Sequence, residues 1–190
     1  MVRKNIDLLD NMCYNIMMLS LQAIELAPEL QSIARDNVVI LGSVALALCK
    51  DLAGIPADQH HVHIDDLDLS VPESTFMSLA NPGNSYGTLP SENIWTRNSY
   101  RGVDTMRRSI VVPQLDRSVQ LDIGTGANGW THEELLDSAL THDGYSVIDP
   151  RKQLIWYEAL DRKKDQTKID LLRTIIIPAL DRLIERDDSE

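Results

Sequence analysis

The sequence predicts a mixed α/β (α+β) fold, with a mixed β-sheet core flanked by helices and a helical C-terminal part. Three observations carry this. Short β-branched runs alternate with segments of helical spacing between residues 37 and 149. The chain from residue 150 onward keeps a helical pattern almost throughout. No apolar run reaches membrane-spanning length. The expected organisation is an N-terminal helical segment over 1–36, the sheet core over 37–149 and a C-terminal helical segment over 150–190.

A chain of 190 residues is long enough for one ordinary core, and 43% apolar residues with three tryptophans fit a globular protein. The opening MVRKNIDLLDNM meets polar and acidic residues too early for a secretory signal. Cys13 and Cys49 both stand in apolar surroundings, which suits buried thiols in a reducing compartment better than a disulfide. A cytoplasmic protein without membrane attachment is expected. The formal charge of −11 argues against a general nucleic-acid coat but leaves room for a local basic groove. Cations do cluster, at Arg107–Arg108 and along Arg162, Lys163, Lys164 and Lys168, while the tail RDDSE reads as a solvated end.

From Ile6 to Ile33 apolar residues recur at helical spacing, with Pro28 as a break. NVVIL is a β-branched run, followed by Gly42–Ser43 and the helical VALALCKDLA, which Gly54 and Pro56 close. Strand, glycine turn and helix in succession aim backbone N–H groups at an anion. HVHIDDLDLSV alternates like a strand, Glu73 to Ala80 reads as a short helix, and NPGNSYGTLPSEN is rich in turn residues. SIVVPQL and SVQLDIG read as two strands joined around Asp116–Arg117. Trp130 to Leu140 is expected to be helical, with Thr131 and Glu134 as a capping box, and YSVID as a brief strand. Pro150 opens a helix through Arg162, and Lys164 to Arg186 forms another that Pro178 disturbs.

The stretch HHVHIDDLDLSV admits two metal readings. In the first, His61 and His63 hold zinc, since HVHIDD approaches the H-x-H-x-D-H pattern of metallo-β-lactamase-like hydrolases. The final histidine is replaced by Asp66, and only His132 and His142 remain elsewhere. His60, His61 and His63 fit better as polar loop and strand-edge residues. In the second reading, Asp66 and Asp68 lie one apolar residue apart, so on a strand both carboxylates point to the same side. Asp65 then faces away. Crowded carboxylates repel unless a cation sits between them, and oxygen ligands favour a hard ion such as Mg²⁺, or Mn²⁺. Asp122, set between apolar residues of SVQLDIG, supplies a third carboxylate. Three carboxylates on strands with a Gly-Ser turn make a two-metal phosphoryl- or nucleotidyl-transfer site.

VVILGSVALAL, DDLDLSV and VQLDI together resemble the nucleotidyltransferase superfamily typified by DNA polymerase β. Its signature is a hydrophobic strand, Gly-Gly or Gly-Ser, then D-x-D, then a separate strand aspartate. YSVIDPRKQLIWYEALDRKKDQTKIDLL is similar to the helical segment of minimal and abortive-infection-type (toxin) nucleotidyltransferases. The resemblance covers about two thirds of the chain. It departs from the family in a wide gap from Ser43 to Asp66, in Trp156 where many relatives have lysine, and in the loose spacing from Asp165 to Asp170. It implies a Mg²⁺-dependent transfer of a nucleoside monophosphate from a nucleoside triphosphate, such as ATP, to an acceptor hydroxyl, with release of pyrophosphate. It implies Asp66, Asp68 and Asp122 as metal ligands and catalytic carboxylates. Gly42 and Ser43 would hold the triphosphate, with Lys164 and Lys168 toward phosphate or an acidic acceptor. The toxin-like branch implies tRNA or protein acceptors and an antitoxin partner; other branches modify aminoglycoside or lincosamide antibiotics. The same fold also serves as a nucleotide-binding module without turnover. Alternation sends Arg107 and Arg108 to opposite sides of their strand, so at most one faces the cleft. Trp95 and Tyr100 are candidates to stack on a base.

Overall fold

The computed structural model describes residues 34–56, 59–64, 66–80, 96–100, 103–112 and 117–187, together with Leu21, Ile24 and Leu30. Its elements are β1 (Val39–Leu41), α1 (Gly42–Leu52), β2 (Asp66–Ser70), α2 (Glu73–Ala80), β3 (Thr96–Tyr100), β4 (Val103–Val112) and β5 (Arg117–Gly124). There follow β6 (Gly126–Ala127), β7 (Trp130–Thr131), α3 (His132–Leu136), β8 (Leu140–His142), β9 (Tyr145–Val147), α4 (Pro150–Leu160), α5 (Gln166–Leu171) and α6 (Ile177–Asp187). The fold is mixed α/β, as expected. Among the described residues one sheet runs in the order β3-β4-β5-β2-β1-β9-β8, and β6 and β7 form a separate ribbon.

The central strands are apolar on the face that meets the core. β1 is buried at all three positions, and Leu67 and Leu69 of β2 and Val119, Leu121 and Ile123 of β5 are buried beside it. β1 pairs antiparallel with β2 and parallel with β9, while β2 pairs parallel with β5. α1 packs Val44, Ala45, Leu46, Leu48 and Cys49 into the same core. The Cys49 thiol is free and buried, and burial, with Asp149 nearby, pushes it up to about 12. Cys49 is therefore inert packing rather than a nucleophile.

α4 starts as its sequence dictates. Asp149 caps it by accepting the Arg151 backbone N–H at 2.8 Å, and Pro150 occupies the first turn, where its missing N–H costs nothing. The long C-terminal helix is disturbed one turn before Pro178. Residues Leu172–Ile176 form a π turn between α5 and α6. Proline cannot donate to the carbonyl four residues back, and the wider turn absorbs that loss.

The expected helix over Trp130–Leu140 is too long. The Thr131–Glu134 capping box is present, but the helix ends at Leu136. Leu140–His142 instead pairs with Tyr145–Val147 through the two-residue turn Asp143–Gly144, both at positive φ (49° and 80°). Asp-Gly between short apolar runs is a type I′ hairpin signal, and it overrides the helical spacing here. The strand expected from His61 to Val71 is confined to Asp66–Ser70. β3 and the Val103 start of β4 extend the sheet beyond the expected strands. The expected N-terminal helix lies mostly outside the described residues, although Leu21 and Ile24 are helical and buried. The loop NPGNSYGTLPSEN and Trp95 also lie outside them, as does the side chain of Tyr100.

A buried polar chain ties these layers together. Ser70 Oγ lies 3.1 Å from His132 Nδ1, and His132 Nε2 lies 3.4 Å from Asn37 Oδ1 in the 3₁₀ turn Arg35–Asn37. A neutral imidazole satisfies both contacts, accepting from Ser70 and donating to Asn37. Burial lowers the His132 pKa, which keeps that form. No helix among the described residues is long and apolar enough to cross a membrane.

Candidate functional site

Strand alternation and register place the site. Leu67 and Leu69 commit one face of β2 to the core, so Asp66 and Asp68 project from the other. In the parallel pairing of β2 with β5, Asp68 lies beside Asp122 and Asp66 beside Gln120. Leu121 and Ile123 are buried, which puts Asp122 on the carboxylate face as well. Ligand oxygens from Asp66, Asp68 and Asp122 lie within 4.8 Å of one another. Among the described residues this is the one cluster of three or more candidate metal ligands. His60, His61 and His63 are exposed in the segment before β2 and belong to no such cluster.

The Gly-Ser turn meets this triad directly. Leu41 pairs with Asp68, so the first residue of α1 sits over the second carboxylate. Gly42 has φ +68°, and a Cβ there would lie 2.1 Å from Asp68 Oδ2. Glycine is required twice, for the left-handed backbone and for the close approach. Gln153 Nε2 donates to the Gly42 carbonyl at 2.6 Å and sits 3.2 Å from the Tyr157 hydroxyl, which holds the turn from α4. The hydroxyl of Ser43 accepts from Lys168 Nζ at 2.8 Å.

Lys168 comes from α5 and is held on three sides. Its ammonium lies 2.8 Å from Ser43 Oγ, 3.8 Å from Asp165 Oδ1 and 5.3 Å from the centre of the Tyr157 ring. Asp165 is fully buried and also accepts from Arg162 Nε. A buried carboxylate between two cations fixes both of them and is itself stabilised only by their presence. Lys164, on the 3₁₀ turn Lys163–Asp165, is exposed, and among the described contacts it is not brought to the triad.

The remaining cation answers which of the adjacent arginines faces the cleft. β4 runs antiparallel to β5 with Arg107 opposite Asp122. Arg107 grips Asp122 with a two-pronged fork, Nε to Oδ1 at 2.6 Å and Nη2 to Oδ2 at 2.7 Å. Arg108 points to the other face and is buried. The hydrogen bonds to Asp122 raise the Arg107 pKa further, with the site's other carboxylates adding to the effect.

These cations do not balance the carboxylates. Burial, then the charges of Asp66 and Asp122, push the Asp68 carboxyl up to about 7, against the opposing pull of Lys168 and Arg162. A carboxyl that keeps its proton near neutrality marks a place where a cation is wanted. Three hard oxygen donors that crowd to within 4.8 Å fit Mg²⁺ or Mn²⁺, which would take the place of that proton.

The three strand aspartates, Gly42, Ser43 and Lys168, all named from the sequence, thus meet at one end of the central strands. Gln153 and Tyr157 carry no role in the sequence reading, Arg162 enters it only in a cation cluster and Asp165 only through its spacing to Asp170, and Arg107 only as one of two alternatives for the cleft. Helical spacing held a signal for four of them: Gln153 and Tyr157 are i, i+4, and Arg162, Asp165 and Lys168 recur every three residues. Comparison of the chain with known protein families, with curated proteins and with solved structures gave no match.

Proposed function

We propose that the protein is a nucleotidyltransferase, moving a nucleoside monophosphate from a nucleoside triphosphate to an acceptor hydroxyl and releasing pyrophosphate. The observation that carries this reading is the approach of Gly42 to Asp68. It puts the N-terminus of α1, whose first N–H groups find no acceptor within their own helix, directly against a three-carboxylate cluster. A phosphate-binding turn and a cation-binding triad in contact suit a substrate that is itself a metal–phosphate complex.

Asp66, Asp68 and Asp122 would hold Mg²⁺, which when bound offsets charge on the phosphates and on the departing pyrophosphate. Backbone N–H groups at Gly42 and Ser43 bind the triphosphate, assisted by the Ser43 hydroxyl. Lys168, already on that hydroxyl, adds a positive charge, and Arg162 preserves it by pairing with Asp165. The acceptor oxygen bonds to the α-phosphorus while the bond from that phosphorus to the oxygen bridging the β-phosphate breaks. The electron pair leaves with pyrophosphate, and the hydroxyl proton passes to an Asp122 oxygen. Resemblance of the C-terminal segment to the toxin-like branch favours tRNA or protein as acceptor, with an antitoxin as partner.

Transfer of label from each α-labelled nucleoside triphosphate, with Mg²⁺, to total tRNA, cell protein and a panel of aminoglycosides and lincosamides tests the proposal. Label should appear with wild type and be lost in Asp68→Asn. The labelled species identifies the acceptor class. Nucleotide binding that needs Asp68, without label on any acceptor, would replace transfer by a binding role for the same site.

A further inference from the structure

We infer that Arg107 is a positioning residue that competes with a divalent cation for Asp122. The inference rests on the metal-dependent reading above and adds to it a control on when the third carboxylate becomes available. Arg107 and Asp122 are direct cross-strand partners, and both oxygens of Asp122 are taken by the guanidinium fork at 2.6 and 2.7 Å. Gln120 Nε2 adds a weaker contact to Oδ2 at 3.3 Å. A divalent cation binds carboxylate oxygen at about 2.1 Å, so sharing one of these oxygens would leave ion and guanidinium roughly 4 Å apart. Like charges at that distance oppose each other strongly in a partly desolvated site.

Opening the fork costs Arg107 little, because its side chain is 45% exposed, whereas Asp122, 11% exposed, then needs a replacement cation, which the divalent ion supplies. A guanidinium that pairs two-pronged with carboxylate pairs equally well with phosphate. Arg107 therefore has a second partner once a triphosphate is present, and cation and nucleotide binding become linked through it. While the fork is closed, both Asp122 oxygens are engaged, and cation binding or proton acceptance there works against the guanidinium.

The test is a Mn²⁺ titration of the full chain without nucleotide, counting bound ion by loss of the free Mn²⁺ paramagnetic resonance signal. Wild type is compared with Arg107→Gln, Asp122→Asn, the double variant and Asp68→Asn. Arg107→Gln should bind Mn²⁺ about tenfold tighter than wild type, within the usual range for coupled sites. In the Asp122→Asn background, removing Arg107 should change affinity by less than about twofold. Equal or weaker binding by Arg107→Gln, with binding still lost in Asp68→Asn, overturns the competition and leaves the metal site standing. Mn²⁺ binding indifferent to Asp68 overturns the metal reading, and this inference with it. Arg107→Lys keeps the charge without the fork and should fall between wild type and Arg107→Gln; tighter binding than Arg107→Gln would refute the competition.

Discussion

Asp68→Asn should stabilise the protein at pH 8 in the absence of divalent cations while abolishing its proposed activity. The Asp68 carboxyl is raised from 3.8 to about 7, first by burial and then by Asp66 and Asp122. At 1.36 kcal/mol per pKa unit this corresponds to about 4 kcal/mol. Asp68 keeps part of its surface in solvent and shares the effect with two neighbours, so about 2 kcal/mol is the expected net penalty. The sign follows from proton binding. Between about pH 4 and pH 7 the folded state holds a proton at Asp68 that the unfolded chain has released, so stability falls as pH rises through this window. Above it the full penalty is present, and below it both states are protonated. Asparagine removes the penalty. For a chain of this size the gain at pH 8 amounts to roughly 4–8 °C in Tm. It should close by pH 4. Thermal and urea unfolding followed by circular dichroism at pH 4, 6 and 8 with a chelator measures it. A variant no more stable than wild type at pH 8, or equally more stable at pH 4, would refute the charge argument. Added Mg²⁺ should raise the wild-type Tm and leave that of Asp68→Asn unchanged.

Two further substitutions probe the turn and the cation beside it. Gly42→Ala forces a left-handed backbone on alanine, costing about 1–2 kcal/mol, and drives its Cβ toward Asp68 Oδ2. Urea unfolding should show a loss of about 2 kcal/mol or more together with weaker Mn²⁺ binding, and a change below about 0.5 kcal/mol would contradict the close approach. Lys168→Gln removes a charge-assisted contact worth about 1.5–3 kcal/mol. The KM for nucleoside triphosphate should rise roughly 10- to 100-fold, and an unchanged KM would remove Lys168 from the phosphate site.

The carboxylate face was legible because alternation is a strong local rule. In DLDLS the leucines fix one face, so the two aspartates must share the other, and QLDI does the same for Asp122. Which arginine joined them was not legible. Opposite faces follow from adjacency, but the choice of Arg107 depends on how β4 registers against β5, a non-local pairing that no short window contains. The same limit hid Gln153, whose hydrogen bond to Gly42 spans 111 positions in the chain. The overlong helix after Trp130 failed for the opposite reason. There the decisive signal is local, the Asp143–Gly144 turn, and it prevails over the helical spacing.

Several costly features converge on one end of the central strands. Asp68 holds its proton toward neutrality, Gly42 occupies a left-handed backbone, and Asp165 is buried with no hydrogen bond to its Oδ1 among the described residues. The two carboxylate costs could each be relieved by a single substitution without disturbing the sheet. Asparagine at 68 would end the repulsion, and an apolar residue at 165 would end the need for Arg162 and Lys168 to point inward. A sheet face with only a packing role has no use for three mutually repelling carboxylates with oxygens within 4.8 Å of one another. Local destabilisation of this kind is retained where stability and activity trade against each other. Its concentration around the Gly42–Asp68 contact, rather than at the exposed histidines before β2, is the physical reason to look for chemistry at the aspartates.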